Sequence, residues 1–190
     1  MSPRMGLDLP TILQKAGEIV DEKGLDHLSL GELARRLQIR TPSLYNHIEG
    51  LEALRQKLAI HGLHNLHERM VYAAVGRSGD EAVRALSEAY VSFARNHPGL
   101  YDATFRAPET DDPELQQAQH KVVELVVQVL QVYGLKDEAA LHTVRGFRSI
   151  LHGFASIELA GGFGLPLDLD KSFLLLIDTF LAGIHSGTSN

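Results

Sequence analysis

The stretch from Leu28 to Leu54, LSLGELARRLQIRTPSLYNHIEGLEAL, decides how this chain is read. Ser29 followed three residues later by Glu32 is a capping-box pattern, in which each side chain satisfies a free amide at a helix start. It opens a helix over about Leu30 to Leu37, with Leu30, Leu33, Ala34 and Leu37 facing inward. Thr41 then offers an N-cap oxygen, and Pro42 stands at the first helical position, where its missing amide costs nothing. A second helix therefore covers Pro42 to His47, roughly one and a half turns. It is too short to hold a core, yet it carries Tyr45 and His47. Two short helices joined by a tight turn form a helix-turn-helix unit, whose second member enters the DNA major groove with its N-terminal residues at base edges. Thr41, Ser43 and Asn46 have short hydrogen-bonding side chains suited to bases or phosphates, while Leu44 and Ile48 point back to the core. Tyr45 and His47 then face flanking phosphates through phenol and imidazole. The competing reading makes Tyr45 a half-buried packing residue and His47 a solvated turn residue.

On either side the pattern is helical. Leu9, Ile12, Leu13, Ala16, Ile19 and Val20 recur at helical spacing, and Gly24 follows Lys23 where a left-handed C-cap would stop the helix. Residues Gly50 to about Val75 read as one long amphipathic helix. Further helices are expected at about Glu81–Asn96, Gly99–Phe105, Pro113–Tyr133, Glu138–Ala160 and Leu169–Ile184, with breaks at 97–99, 107–113, 133–137 and 161–168. VVELVVQVLQVY is β-branched enough to suggest a strand, but its length and its polar flank favour a helix. The expected fold is all-α, with a DNA-binding head at 1–50 and a helical body at 51–190.

The chain has 190 residues, 44% of them hydrophobic, enough for one good core or a core and a satellite. It has no cysteine, so thiolate metal sites, disulfides and cysteine nucleophiles are excluded, which suits a reducing cytoplasm. The N-terminus does not read as an export signal, and the longest apolar run, FLLLIDTFLAGI, is interrupted by Asp178 and shorter than the roughly 20 residues that span a bilayer. A cytoplasmic protein with no membrane partner is expected. The net charge of -6 argues at first against nucleic acid, but through His67 eight basic residues balance eight acidic ones, so the excess negative charge lies beyond. Between Ser29 and Lys57 five basic residues stand against three acidic. A weakly basic head on an acidic body results, and that acidity keeps the body off DNA.

Residues Leu9 to Leu58 resemble the N-terminal domain of the tetracycline-repressor family of bacterial transcriptional regulators. The likeness rests on LSLGELARRLQIRTPSLYNHIEGLEALRQKL, with the SLYNH run its most specific part. It implies a homodimer with two DNA-binding heads on a palindromic operator, a helical body that binds a small-molecule effector, and repression relieved by that effector. By position, Thr41, Pro42, Ser43, Tyr45, Asn46 and His47 match the family's recognition helix. The basic residues that the family often carries early in these helices are replaced here by Gly31-Glu32 and Leu51, so phosphate contacts lean on Arg35, Arg36, Arg40 or backbone amides. The segments Tyr90–Phe105 and Gly146–Gly164 resemble the C-terminal domain of one subset of the family.

In the body, the aromatic side chains of Tyr90, Phe93, Tyr101, Phe105, Phe147 and Phe154 are candidates to line an effector cavity. His97, His120, Arg148 and His152 are its candidate polar groups. The alternative is that the aromatics fill core and the histidines cap helices. Gly146, Gly153 and the run containing Phe173, Leu176, Ile177 and Phe180 suggest a four-helix dimer interface made by the last two helices. His61, His64 and His67 recur every third residue and with Glu68 could offer imidazole ligands to zinc or nickel, but they spread over about 120° of helix surface, so only adjacent pairs could share one ion; a solvated or interdomain face is the preferred reading, and no metal and no cofactor is expected. Two other functions compete: a protein-binding adaptor with a vestigial head, motivated by the missing basic residues, and a small helical enzyme using His97 or His152 as base. The enzyme lacks any triad order, phosphate loop or carboxylate pair to support it.

Overall fold

The computed structural model describes residues 7–107, 111–135 and 137–187. Arg4, Lys136 and the middle of the break expected at 107–113 fall outside that range. Among the described residues every regular element is helical, as the periodicity predicts: α1 (Leu9–Lys23), α2 (Leu30–Arg36), α3 (Leu51–Ala74), α4 (Gly79–Asn96), α5 (Pro98–Phe105), α6 (Pro113–Leu130), α7 (Asp137–Leu159) and α8 (Leu169–Gly187), with 3-10 turns at Leu25–His27, Thr41–Asn46 and Gln131–Tyr133. The chain forms two compact units. One holds Met1–His64 and His97–Ala118, the other Asn65–Asn96 and Gln119–Asn190.

In the first unit, Asp8 caps α1 by accepting the Thr11 amide at 2.9 Å. Gly24 ends that helix with its amide on the Val20 carbonyl at 2.8 Å. Its φ of 85° is positive as expected, but its ψ of 158° leads the chain into an extended turn rather than a left-handed cap. Ile12, Ile19, Leu33, Leu44, Ile48, Leu54 and Leu58 are buried together as the core of this unit. Segment 97–118 belongs to it as well, because α5 packs on α1. Gly99 sits so close to the end of α1 that a Cβ there would lie 2.0 Å from the Val20 carbonyl oxygen. Asp21 accepts the Leu100 amide with one carboxylate oxygen and pairs with His97 Nδ1 through the other, each at 2.9 Å. Arg106 reaches Asp26 at 2.6 Å, and Gln56 bonds Asp112. A helix expected in the body is thus fastened onto the compact unit that carries the helix-turn-helix.

The second unit packs α4 against α7 and α8. Met70, Leu86, Phe93, Leu130, Phe147 and Leu151 are buried in its core. The Val-rich segment is helical to Leu130, tightens into a 3-10 turn, and stops at Gly134 in the left-handed region. Salt bridges tie its helices: Arg84 to Asp178 at 2.8 Å, and Arg95 to both Glu158 and Asp170. Asp80, at the start of α4, accepts from the Tyr133 hydroxyl at 2.7 Å and pairs with His185 at 3.0 Å. These contacts lower the Asp80 carboxyl, with the Tyr133 hydrogen bond the largest cause.

Candidate nucleic-acid interface

Half of the expected capping box forms. The Glu32 amide donates to Ser29 Oγ at 3.2 Å, but the Glu32 carboxylate turns to cations instead of returning to the Ser29 amide. Helix α2 closes with the Ile39 amide on the Ala34 carbonyl at 3.0 Å and Gln38 at φ 56°, a Schellman closure built on a non-glycine residue. The segment Thr41–Asn46 is a 3-10 turn rather than the expected α-helix. A run this short gains little from i to i+4 bonding, and the tighter pattern satisfies it: the Ser43 amide bonds the Arg40 carbonyl and the His47 amide bonds the Leu44 carbonyl, both at 2.9 Å.

This turn anchors Leu44 and Ile48 in the core and leaves the candidate reading residues outside. Tyr45 is 59% exposed, which removes the packing reading for it. Arg40, Pro42 and Asn46 are exposed; Thr41, Ser43 and His47 are half-buried. The short polar side chains, the phenol and the imidazole therefore lie on one six-residue turn and its flank, as a base-reading element requires.

The arginines named for phosphate divide. Arg36 donates through two guanidinium nitrogens to Glu22 on α1, one of them at 3.1 Å, and lies 3.4 Å from Glu32. Arg35 grips both oxygens of Glu32 at 2.9 and 2.7 Å, and Lys23 adds a third cation at 2.8 Å. Arg35 first and Lys23 second pull the Glu32 carboxyl down to about 2, and Arg36 holds the Glu22 carboxyl below its ordinary value. Arg40 has no carboxylate partner among the described residues. Glu22 went unread in the sequence because its partner lies fourteen positions away and meets it only once α1 and α2 pack.

The residues expected at an effector site fall into the two units. His97, at the N-cap of α5, and Tyr101 and Phe105 along it lie in the first, where Tyr101 is buried and edge-on to Phe105 at 4.9 Å and His97 is engaged by Asp21. Phe93, Phe147 and His152 lie in the second, the two phenylalanines fully buried. Burial, and after it Arg148, lowers the His152 imidazole. His120 is on the surface, paired with Glu124 at 3.1 Å in the next turn of its own helix. The second unit also has an open groove of about 520 Å³ lined by Asn65, Glu68, Arg69, Tyr72, Ala89 and Ser92. The i, i+4, i+7 spacing of Asn65, Arg69 and Tyr72 was its signal in the sequence. Among the described residues no three metal-ligating side chains converge. The His61 imidazole is lowered, by burial first and His64 second.

Of the residues expected at a dimer face, Leu176 is half-buried and two others are buried within their own chain. Phe173 and Ile177 turn into the core of their own unit, Phe173 against Phe154 at 4.9 Å, and Phe180 is half-buried against Phe147 at 5.1 Å. Leu174 and Leu175 carry the exposed face instead, the latter 69% exposed. Gly146 and Gly153 are open, with nothing within 4 Å of an added Cβ. Among the described residues no helix is long and apolar enough to cross a membrane.

Known proteins resemble this chain along its whole length. A family model described as "Tetracyclin repressor-like, C-terminal domain" matches residues 83–180. The chain is similar to the HTH-type transcriptional regulator YobS of Bacillus subtilis (strain 168), 38% identical over 191 residues, covering 100% of this chain and 99% of that protein. Among solved structures, a protein from Rhodococcus sp. RHA1 superposes with a TM-score of 0.83 at 24% identity, over 96% of this chain and 98% of the other. A tetracycline repressor variant from Acinetobacter baumannii AYE, in complex with minocycline, superposes with a TM-score of 0.74 at 20% identity, over 97% and 100%.

Proposed function

Since this chain belongs to the tetracycline-repressor family of ligand-responsive, DNA-binding transcriptional regulators, and is not an enzyme, we propose that it works as a homodimeric repressor on a palindromic operator. A small molecule held in the body releases it. The observation that carries this reading is the capped α2 followed by a proline-started turn that exposes Tyr45 and Asn46 beside the uncompensated Arg40. Helix α3 (Leu51–Ala74) crosses the boundary between the two units, passing from His64 to Asn65, and so is the stretch of chain through which effector and head would communicate. Two heads must stand about 34–36 Å apart to enter successive major grooves, so a few ångströms of movement releases one of them. Leu174 and Leu175, with the open glycines of α7, are the proposed dimer face.

The test is selection of retained sequences from randomised duplex DNA. Enrichment of a palindrome, with Tyr45→Ala weakening binding to it by about tenfold or more, supports the proposal. Failure to enrich any sequence from a verified dimer at low salt overturns it in favour of the adaptor reading.

A further inference from the structure

The helix-turn-helix has more positive charge than it leaves available. Lys23, Arg35 and Arg36 stand at the end of α1 and in the last turn of α2, the helix that crosses the DNA backbone in this motif, and each is held by a carboxylate of the same unit. Glu22 is the more telling of the two acids. It lies in the last turn of α1, where the helix dipole disfavours a negative charge, and it is half-exposed. Its two oxygens meet two nitrogens of the Arg36 guanidinium, the geometry in which arginine grips a phosphate. Glu32 closes on Arg36 from the other side, at 3.4 Å.

We propose that Glu22 is a positioning residue for DNA binding: it stands in for phosphate at Arg36 and so limits the sequence-independent part of the affinity. The inference rests on the DNA-binding reading above and adds a control to it. An exposed ion pair contributes little to stability, so its loss leaves the fold intact. Releasing the arginine, by contrast, adds one phosphate contact, and each such contact steepens log K against log salt by about 0.9. With the pair closed, attachment to DNA depends on Arg40 and the turn that follows it.

The experiment measures binding of the full-length protein to a 30-base-pair duplex of arbitrary sequence across a salt series, for wild type, Glu22→Gln, Arg36→Ala and the double variant, with thermal melts as a folding control. Glu22→Gln is expected to bind more tightly at low salt. Its affinity should fall about threefold further than wild type between 50 and 200 mM salt, the effect of one additional contact. The double variant should lose that gain. An unchanged slope in Glu22→Gln, or a gain that survives in the double variant, overturns the inference while wild-type DNA binding stands. Absence of binding by every variant to this duplex, together with failure of the wild type to enrich any sequence in the selection above, removes the DNA-binding reading, and the inference with it.

Discussion

Arg36 and Arg40 stand one helical turn apart in sequence, yet among the described residues one is committed to two carboxylates and the other to none. The difference is set by what packs beside each: α1 brings Glu22 to the first, while the second opens the reading turn. Hydrogen bonds from Arg35 first and Lys23 second hold the Glu32 carboxyl down to about 2 in the folded protein, below its ordinary value near 4.5. A carboxyl lowered on folding adds stability that is complete above its unfolded value and is lost as pH falls through the folded one. Wild type is therefore expected to be more stable than Glu32→Gln near neutrality, and the gap should close as pH falls from about 4.5 toward 2. Denaturant titrations of both proteins across that range read it directly. The exposure of Tyr45 was legible in the sequence, because Leu44 and Ile48 take the inward positions of so short a segment. The pairing of Glu22 with Arg36 was not, since no local spacing encodes it.

At the scale of elements, starts and stops that depend on one residue's chemistry were legible: Ser29 opens α2, and the Lys23-Gly24 step ends α1. The turn after α2 was harder, because Gln38 adopts the positive φ for which glycine is the usual signal. The register of α8 was not legible. In a run reading FLLLI every position is apolar, so composition alone does not say that Phe173 and Ile177 turn inward and Leu174 and Leu175 outward. Helix α5 shows how much an element's place depends on one residue, since Gly99 alone permits its approach to the Val20 carbonyl. A methyl group there meets backbone rather than a flexible side chain. Gly99→Ala is expected to cost on the order of 3 kcal/mol, the upper end for overpacking, measured as a lower denaturation midpoint with an unchanged slope.

For the molecule as a whole, the dimer proposed on the outer faces of α7 and α8 makes a prediction separate from folding. Leu175 is mostly exposed within its own chain, so Leu175→Glu should leave the thermal melt of the subunit nearly unchanged while converting the dimer to monomer in sedimentation. Operator affinity should fall with it. The first unit has a history as well as a structure, because it is assembled from residues on both sides of segment 65–96. On the ribosome, α1 and the helix-turn-helix emerge well before α5, and at roughly 5–20 residues per second the missing helix follows several seconds later. Through that interval the Asp21 carboxylate waits for His97 and the Leu100 amide, which are not yet synthesised. The DNA-reading part is consequently no detachable cassette. A chimera that joins residues 1–50 to a foreign body inherits half of a joint, and a productive graft has to carry α5 along with it.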